Sequence, residues 1–250
     1  MKIILLSFSD YKGGANIAAY SIFKSLKKKN IDFLTLYSNN KNSIKAYKFF
    51  GKLYINFLRS LEILIIKLFL KKNFHQSLNI FKSYLKSKIN EINPDILNIH
   101  WINRSTISLN EINELDCKIV ISLHDMWFLN STEHYFLKKE NNLDYISSVC
   151  LKKKREIVKK KGVYFIAHNK WMLNKFKKTF PKYKSKIYLC NYYPIDLDFF
   201  KPRNKKKLRN KYNLPKNKKI VLYSAQDVSD NRKGYKYFLE IVNKLKNNSD

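Results

Sequence analysis

Two hydrophobic periodicities alternate along the chain. Short apolar runs rich in β-branched residues predict buried strands, and stretches with an apolar residue at every third or fourth position predict helices. The predicted strands are Lys2–Phe8, Ile31–Tyr37, Asp95–Trp101, Lys118–Leu123, Gly162–Ala167, Lys186–Cys190 and Lys219–Ser224. Helical spacing follows the first strand up to about Lys28 and recurs over Leu53–Leu70, Ser77–Ile89, Leu109–Leu115, Asn169–Thr179, Lys205–Lys211 and Gly234–Leu245.

This alternation of strands and helices predicts an α/β protein built on a parallel sheet, because parallel strands need crossover connections. Residues 39–48 and 128–148 show no clean period and are predicted as loops. Residues 191–217 hold three prolines among many lysines and are predicted as a linker. The predicted organisation is therefore a first domain over residues 1–190, the linker, and the first βα unit of a second domain over residues 218–250.

The charge of the chain predicts anionic partners. Its 250 residues include 50 Lys and Arg against 19 Asp and Glu, which gives a net charge of +31. Nucleic acid, an anionic membrane face and phosphorylated substrates all fit such a charge. A composition crowded with Lys, Asn and Ile, as an AT-rich genome produces, explains the excess equally well. No motif of a known nucleic-acid-binding module is present, so nucleic acid is the least favoured partner.

The longest apolar stretch, Phe57–Leu70, contains Arg59, Glu62 and Lys67 and is too short to span a bilayer. Together with the basic runs Lys152–Arg155 and 159–161, it fits either a solvated face or docking on anionic lipid. Three well-separated cysteines without a CxxC pair, and no signal peptide, predict a reduced, cytoplasmic location. The protein is then expected in the cytoplasm, with peripheral contact to the inner face of the cytoplasmic membrane as an addition.

Candidate chemistry lies where predicted strands end. The run from Ile119 to Leu123 stops at His124 and Asp125, with Trp127 close behind, and the preceding strand ends in His100 and Trp101. Carboxyl ends of parallel strands meet at one edge of a sheet, where ligands bind in α/β folds. A histidine there can serve as acid, base or hydrogen-bonding group. The alternative for each histidine is a purely structural place in the core.

Two further motifs suggest phosphate binding. Gly13 and Gly14 stand between a strand and a helix, where backbone amides can approach an anion, although a tight turn explains them as well. Arg232 and Lys233 precede the last helix and could clamp a diphosphate, with chance as the alternative in so basic a chain. No zinc-ligand spacing occurs, and no metal site is predicted.

In their order along the chain, these motifs resemble the N-terminal part of family 4 glycosyltransferases of GT-B architecture, in the bacterial polysaccharide-assembly branch. The resemblance spans essentially the whole chain. It rests on Gly13-Gly14-Ala15, Pro94–Trp101, His124–Trp127 with His134-Tyr135, Ile166–Trp171, Asn191, Pro194–Pro202 and Asp230–Gly234.

The resemblance implies two Rossmann-like domains, each with helices on both faces of its sheet, and transfer of a sugar from a nucleotide-diphosphate sugar to a glycan or lipid-linked acceptor. It further implies retention of configuration and neither a cofactor nor an obligatory metal. By position, Gly13 and Gly14 would approach the donor phosphate, and Arg232 and Lys233 would neutralise the diphosphate. His124 would lie near the reaction centre. The acceptor side would comprise His100, Trp101, Asp125, Trp127, His134 and Tyr135.

The chain departs from the family pattern in three places. Asn130, Ser131 and Glu133 replace the usual residues before His-Tyr, and Ser224-Ala225-Gln226 replaces a Gly-Arg pair. The acidic E-x7-E region of the family would lie beyond Asp250. We therefore expect a truncated donor domain and a chain that is inactive alone. The alternative from another functional class is a non-catalytic, acceptor-binding or membrane-docked module.

Overall fold

Seven parallel strands form one sheet in the order β3-β2-β1-β4-β5-β6-β7. The structure is a computed structural model that describes residues 1–26, 30–46, 49–70, 75–135 and 143–247. The strands are β1 (Ile3–Ser9), β2 (Ile31–Tyr37), β3 (Ser43–Lys45), β4 (Ile96–Ile99), β5 (Lys118–Leu123), β6 (Val163–Ala167) and β7 (Ile187–Leu189). Strand order reverses between β1 and β4, so the crevice at their carboxyl ends is the topological switch point of the sheet.

Helices cover both faces of the sheet. They are α1 (Gly14–Leu26), α2 (Phe49–Phe69), α3 (Leu85–Ile92), α4 (Leu109–Glu114), α5 (Tyr145–Lys159) and α6 (Lys170–Thr179). Leu5 of β1 and Phe33 of β2 pack with Ala19 of α1 on one face. Ile4 and Leu6 point to the other face and join the larger core beneath the remaining helices. The predicted α/β, Rossmann-like parallel sheet is confirmed.

Two predictions in this sheet domain are wrong. Residues 77–84 are not helical: Tyr84 has a φ of 62°, and the backbone N–H groups of Leu78 and Asn79 donate to the carboxylate of Glu62 in α2. Asn79 has a φ of 52°, and its side-chain amide donates to the carbonyls of two residues in the loop after β4. Within the predicted loop 39–48, the short strand β3 pairs with β2 and extends the sheet by one edge strand.

The chain divides into two compact units, Met1–Ile195 and Asp196–Asp250. The second unit contains α7 (Lys205–Lys211) and α8 (Tyr235–Asn247), close to their predicted bounds. The strand predicted over Lys219–Ser224 is not formed, because no neighbouring strand in the described part of the chain pairs with it. The domain boundaries predicted above stay predictions.

Candidate active site

Three histidines follow three adjacent strands and stack on one another at the carboxyl edge. His100 follows β4, His124 follows β5 and His168 follows β6, and we call these three residues the histidine ladder. The ring centroids of His100 and His124 lie 5.2 Å apart, and those of His124 and His168 lie 4.9 Å apart. The parallel pairing of β4, β5 and β6 produces this arrangement, because it aligns the ends of the three strands.

A chain of hydrogen bonds fixes which ring nitrogens carry protons. The Asn98 amide donates to the Val120 carbonyl at 3.1 Å, so its Oδ1 is left to accept from His100 Nε2 at 2.6 Å. In a neutral imidazole the other nitrogen is then an acceptor, so His100 Nδ1 receives the Nε2–H of His124 at 2.9 Å. His124 Nδ1 keeps its lone pair, and the Tyr193 hydroxyl donates to it at 3.3 Å.

The ladder is held in its neutral form. Burial lowers the pKa of His124 to about 4, the neighbouring His168 lowers it further, and Asp125 opposes this shift. Burial also lowers the pKa of His100, well below its ordinary value, and that of His168. A group with a pKa of about 4 is a weak base at neutral pH. His124 is therefore suited to accept a hydrogen bond rather than to remove a proton.

The outer end of the ladder presents hydrogen-bond acceptors. His168 Nδ1 donates to the Cys190 carbonyl at 3.1 Å, which leaves a lone pair on Nε2. That nitrogen is buried and has no partner among the described residues. The Tyr193 ring lies against His168, with centroids 4.6 Å apart, and burial raises the pKa of its hydroxyl. Two imidazole lone pairs and a protonated phenol form a set that matches the hydroxyl groups of a sugar.

Beside the ladder lies a second set of buried polar groups, which we call the Asp125 cluster: Ser77, Asp125, Trp127, His134 and Lys154. Asp125 Oδ2 accepts from His134 Nδ1 at 2.8 Å, and Oδ1 accepts from the Trp127 backbone at 2.9 Å. Burial raises the pKa of the Asp125 carboxyl, but these hydrogen bonds and the charge of His134 outweigh it, so the net shift is downward. The Trp127 indole donates to the Ser77 carbonyl at 2.7 Å.

Lys154 closes this cluster from α5. Its side chain is 0% exposed, and its ammonium donates to the carbonyls of Trp127, Asn130 and Ser131 at 2.5, 3.1 and 2.8 Å. The ammonium also lies 3.7 Å from the Trp127 ring centroid. Burial lowers the pKa of Lys154 to about 7. Lys154 belongs to the basic run that fits either a solvated face or docking on anionic lipid by sequence, and the structure makes it an internal brace for the loop after β5.

The predicted acceptor-side residues have unequal exposure. Trp127 and His134 are each 4% exposed and hold the loop from beneath, whereas Tyr135 is 37% exposed. The Trp101 indole donates to Asp125 Oδ2 at 3.3 Å and so joins the ends of β4 and β5. A cavity of about 20 Å³, with room for about one water, is lined by His100, Trp101, His124, Asp125 and Trp127 among others.

The residues predicted to bind phosphate lie in two different units. Gly13 has a φ of +89° at the turn after β1, a conformation that glycine adopts without strain, and Gly14 begins α1. Arg232 and Lys233 lie in a 3-10 turn before α8, where Arg232 forms an ion pair with Asp230. Their roles toward a phosphate stay predictions.

Five residues of the site were not among the predicted site residues. They are Ser77, Asn98, Lys154, His168 and Tyr193. A signal for His168 was present, since it follows an apolar strand in the same way as His100 and His124. In the part of the chain that the structure describes, no group of three or more His, Cys, Asp or Glu side chains is arranged to hold a metal ion.

Comparison with known proteins places the chain in no family. No family model matches it, and no curated protein matches it in sequence. One similar solved structure is that of the Anabaena protein Alr3699/HepE in complex with UDP, at 12% identity and a TM-score of 0.46. The match covers 85% of this chain and 50% of that chain, so the chain spans about half the length of HepE. A likeness of this strength carries no argument about function.

Proposed function

We propose that this protein transfers a sugar from a nucleotide-diphosphate sugar to a hydroxyl of a glycan or lipid-linked acceptor. The observation that carries the proposal is the neutral histidine ladder, at the edge where α/β folds bind ligands. His168 Nε2 has a lone pair with no partner among the described residues, and His124 Nδ1 accepts the Tyr193 hydroxyl at 3.3 Å. The motif resemblance given above supports the same activity and adds retention of configuration.

In the proposed reaction, His124 and His168 bind and orient sugar hydroxyls. His124 Nδ1 accepts a hydrogen bond from a sugar hydroxyl and takes no proton, and the Tyr193 hydroxyl turns from His124 to the ligand. The acceptor oxygen bonds to the anomeric carbon of the sugar as the bond from that carbon to the diphosphate breaks, and the departing diphosphate takes the proton of the acceptor hydroxyl. Lys233, with Arg232, neutralises the diphosphate leaving group, and Gly13 and Gly14 admit the donor phosphate. Stabilising the charge of the leaving group is the largest expected catalytic contribution.

The direct test compares sugar transfer by this chain with transfer by a chain extended at its carboxyl end. In the extended form, His124→Ala is expected to lower kcat/KM by about 10- to 100-fold, the cost of one or two hydrogen bonds to substrate. His75→Ala is the matched control, because His75 is exposed and lies outside the ladder. Full activity of His124→Ala, or no sugar transfer by the extended chain, would contradict the proposal.

A membrane-docked module is the second candidate, favoured by a stripe of exposed apolar side chains on α2. Leu53, Phe57, Leu64 and Leu68 follow helical spacing and are 51%, 64%, 51% and 66% exposed. With a net charge of +31, such a stripe fits the surface of an anionic bilayer. No helix in the described ranges is long and apolar enough to cross a membrane.

Sedimentation with phosphatidylglycerol vesicles tests this second candidate. Leu64→Glu is expected to reduce vesicle binding several-fold, since it puts a charge in the middle of the apolar stripe. Ile17→Glu is the matched control, because Ile17 is a similarly exposed aliphatic residue on α1. Equal binding by the two variants, or no binding by the unmodified chain, would remove the membrane candidate.

A further inference from the structure

Two arginine side chains converge on one phenyl ring at the switch point of the sheet. The guanidinium carbon of Arg59 lies 5.2 Å from the ring centroid of Phe8, and that of Arg104 lies 5.9 Å from it. Phe8 is near the end of β1, and its N–H donates to the Trp101 carbonyl at 3.0 Å. The pair therefore lies where β1 and β4 diverge, which is where α/β sheets bind ligands.

Neither arginine has a carboxylate partner among the described residues. Arg59 Nη1 donates to the Tyr37 hydroxyl at 2.9 Å and the Asn56 amide oxygen at 3.3 Å, while its buried Nε has no partner. The Arg104 guanidinium lies over the rings of Phe8 and Trp101. Asp10, the carboxylate that follows β1, is already bonded to Ser38, Asn39 and Ser43.

The arrangement brings two like charges together at a place that solvent reaches. Partial burial lowers the pKa of Arg104, and the charge of Arg59 lowers it further, while the Arg104 side chain stays exposed and open to a ligand. Arg104 and Ser105 also adopt left-handed backbone conformations, with φ of 62° and 56°, which cost about 1 kcal/mol or more each for residues other than glycine. Such costs concentrate at binding sites, where a ligand offsets them.

We propose that Arg59 and Arg104 bind an oxyanion, a phosphate or carboxylate, carried by the acceptor. A guanidinium presents paired N–H donors that match the oxygens of either group. Trp101 contacts Arg104 on one side and hydrogen-bonds Asp125 on the other, so the bound anion would lie one side chain away from the Asp125 cluster and the ladder. The acceptor assignment rests on the proposed transferase function, whereas anion binding itself does not.

Calorimetric titration of the 250-residue chain tests the site, with glucose 6-phosphate, glucuronate, inorganic phosphate and neutral glucose as probes. The unmodified chain is expected to bind glucose 6-phosphate or glucuronate at least about ten-fold more tightly than glucose, and at least as tightly as inorganic phosphate. The Arg59→Gln/Arg104→Gln variant should weaken anion binding by about 10- to 100-fold. Arg104→Gln alone is the safer variant for folding, because Arg104 is exposed, and should lose about ten-fold.

The matched control is the Lys82→Gln/Lys175→Gln variant. It also removes two cations that lie over aromatic rings, those of Tyr84 and Trp171, but away from the switch point. Its affinity for the anions should stay within about two-fold of the unmodified chain. Equal losses in the two double variants would mean that the net charge, and not a built site, attracts anions, and would overturn the proposal.

Vesicles that contain phosphatidic acid test whether the anion is borne by a lipid. Loss of vesicle binding in the arginine double variant supports a lipid-borne anion, and tight binding of glucose 6-phosphate or glucuronate supports a glycan-borne one. Failure of both, or binding of inorganic phosphate alone, overturns the acceptor assignment. None of these measurements uses transfer activity, so failure of the anion site is distinguishable from failure of the transferase proposal.

Discussion

The histidine ladder and the Asp125 cluster adjoin at one edge of the sheet, yet their histidines have different hydrogen-bond partners. In the ladder, His124 bonds to an imidazole and a phenol, which are neutral groups, and burial keeps it uncharged. In the Asp125 cluster, His134 bonds to a carboxylate that is itself held ionised. The partner of a buried histidine, and not its residue type, therefore determines whether it can bind neutral hydroxyls or serve as part of the frame.

The largest expected effect is on the free energy of unfolding, and it concerns Lys154, which braces the loop after β5 beneath the ladder. Lys154→Met should lower the free energy of unfolding by about 3 to 5 kcal/mol, because it leaves three buried carbonyls without their donor. Urea unfolding followed by circular dichroism measures it. Lys152→Met, an exposed neighbour on α5, should change the value by under about 0.5 kcal/mol. Similar losses in the two variants would show that Lys154 is no internal brace.

A smaller effect is the pH dependence of stability, which differs between the histidine ladder and the Asp125 cluster. The folded pKa of His124 is about 4 against an ordinary value of 6.5, so the unfolded chain binds more protons between these values. The contribution of His124 is thus fully present above about pH 6.5 and is lost as the pH falls toward 4, by about 2 to 3 kcal/mol. The Asp125 carboxyl, whose folded pKa is lowered, loses its contribution only as the pH falls below its ordinary value of 3.8.

Unfolding free energies measured from pH 7 to pH 3 check this order. His124→Gln should reduce the slope of the profile between pH 6.5 and 4, where His100 and His168, whose pKa values are also lowered, supply the remaining slope, and it should leave the steeper acid limb in place. His75→Gln, at an exposed histidine outside the ladder, is the matched control. A profile that is flat above pH 4 in the unmodified chain would mean that His124 is not held neutral by burial.

The smallest expected effect concerns the open end of the ladder. Tyr193→Phe removes the hydroxyl that donates to His124 at a long 3.3 Å, so the free energy of unfolding should fall by less than about 1 kcal/mol. The same variant in the extended chain should weaken substrate binding more than it weakens the fold. A loss of stability comparable to that of Lys154→Met would mean that Tyr193 supports the fold, as Lys154 does, and does not serve ligand binding.

The histidines at the strand ends were predictable from the sequence, whereas the buried contacts of Lys154 that hold the neighbouring loop were not. Apolar runs that stop at His100 and His124 mark the edge, because the residue that follows a buried parallel strand must leave the sheet there. Lys154 sits in a run of four basic residues, and its burial depends on carbonyls that lie 23 to 27 positions earlier in the chain. No local pattern encodes that contact.

Two of the wrong predictions concern segments whose structure depends on distant parts of the chain. The helix predicted over Ser77–Ile89 begins only at Leu85, since Asn79 and Tyr84 have φ of 52° and 62° and Asn79 bonds to carbonyls in the loop after β4. The apolar run Lys219–Ser224 has strand character but no partner strand beside it in the described residues. Contacts with distant residues decide the structure of the first segment. The lack of a pairing strand in the described residues decides that of the second.

Nitrogen-15 NMR of the histidine rings tests the neutral ladder most directly, on the chain as it stands. The expected result is a neutral ring with the proton on Nε2 for both His100 and His124 at pH 7, and no protonation of His124 until the pH approaches about 4. A His124 ring that carries its proton on Nδ1 at pH 7, or that becomes protonated near pH 6.5, would contradict the account.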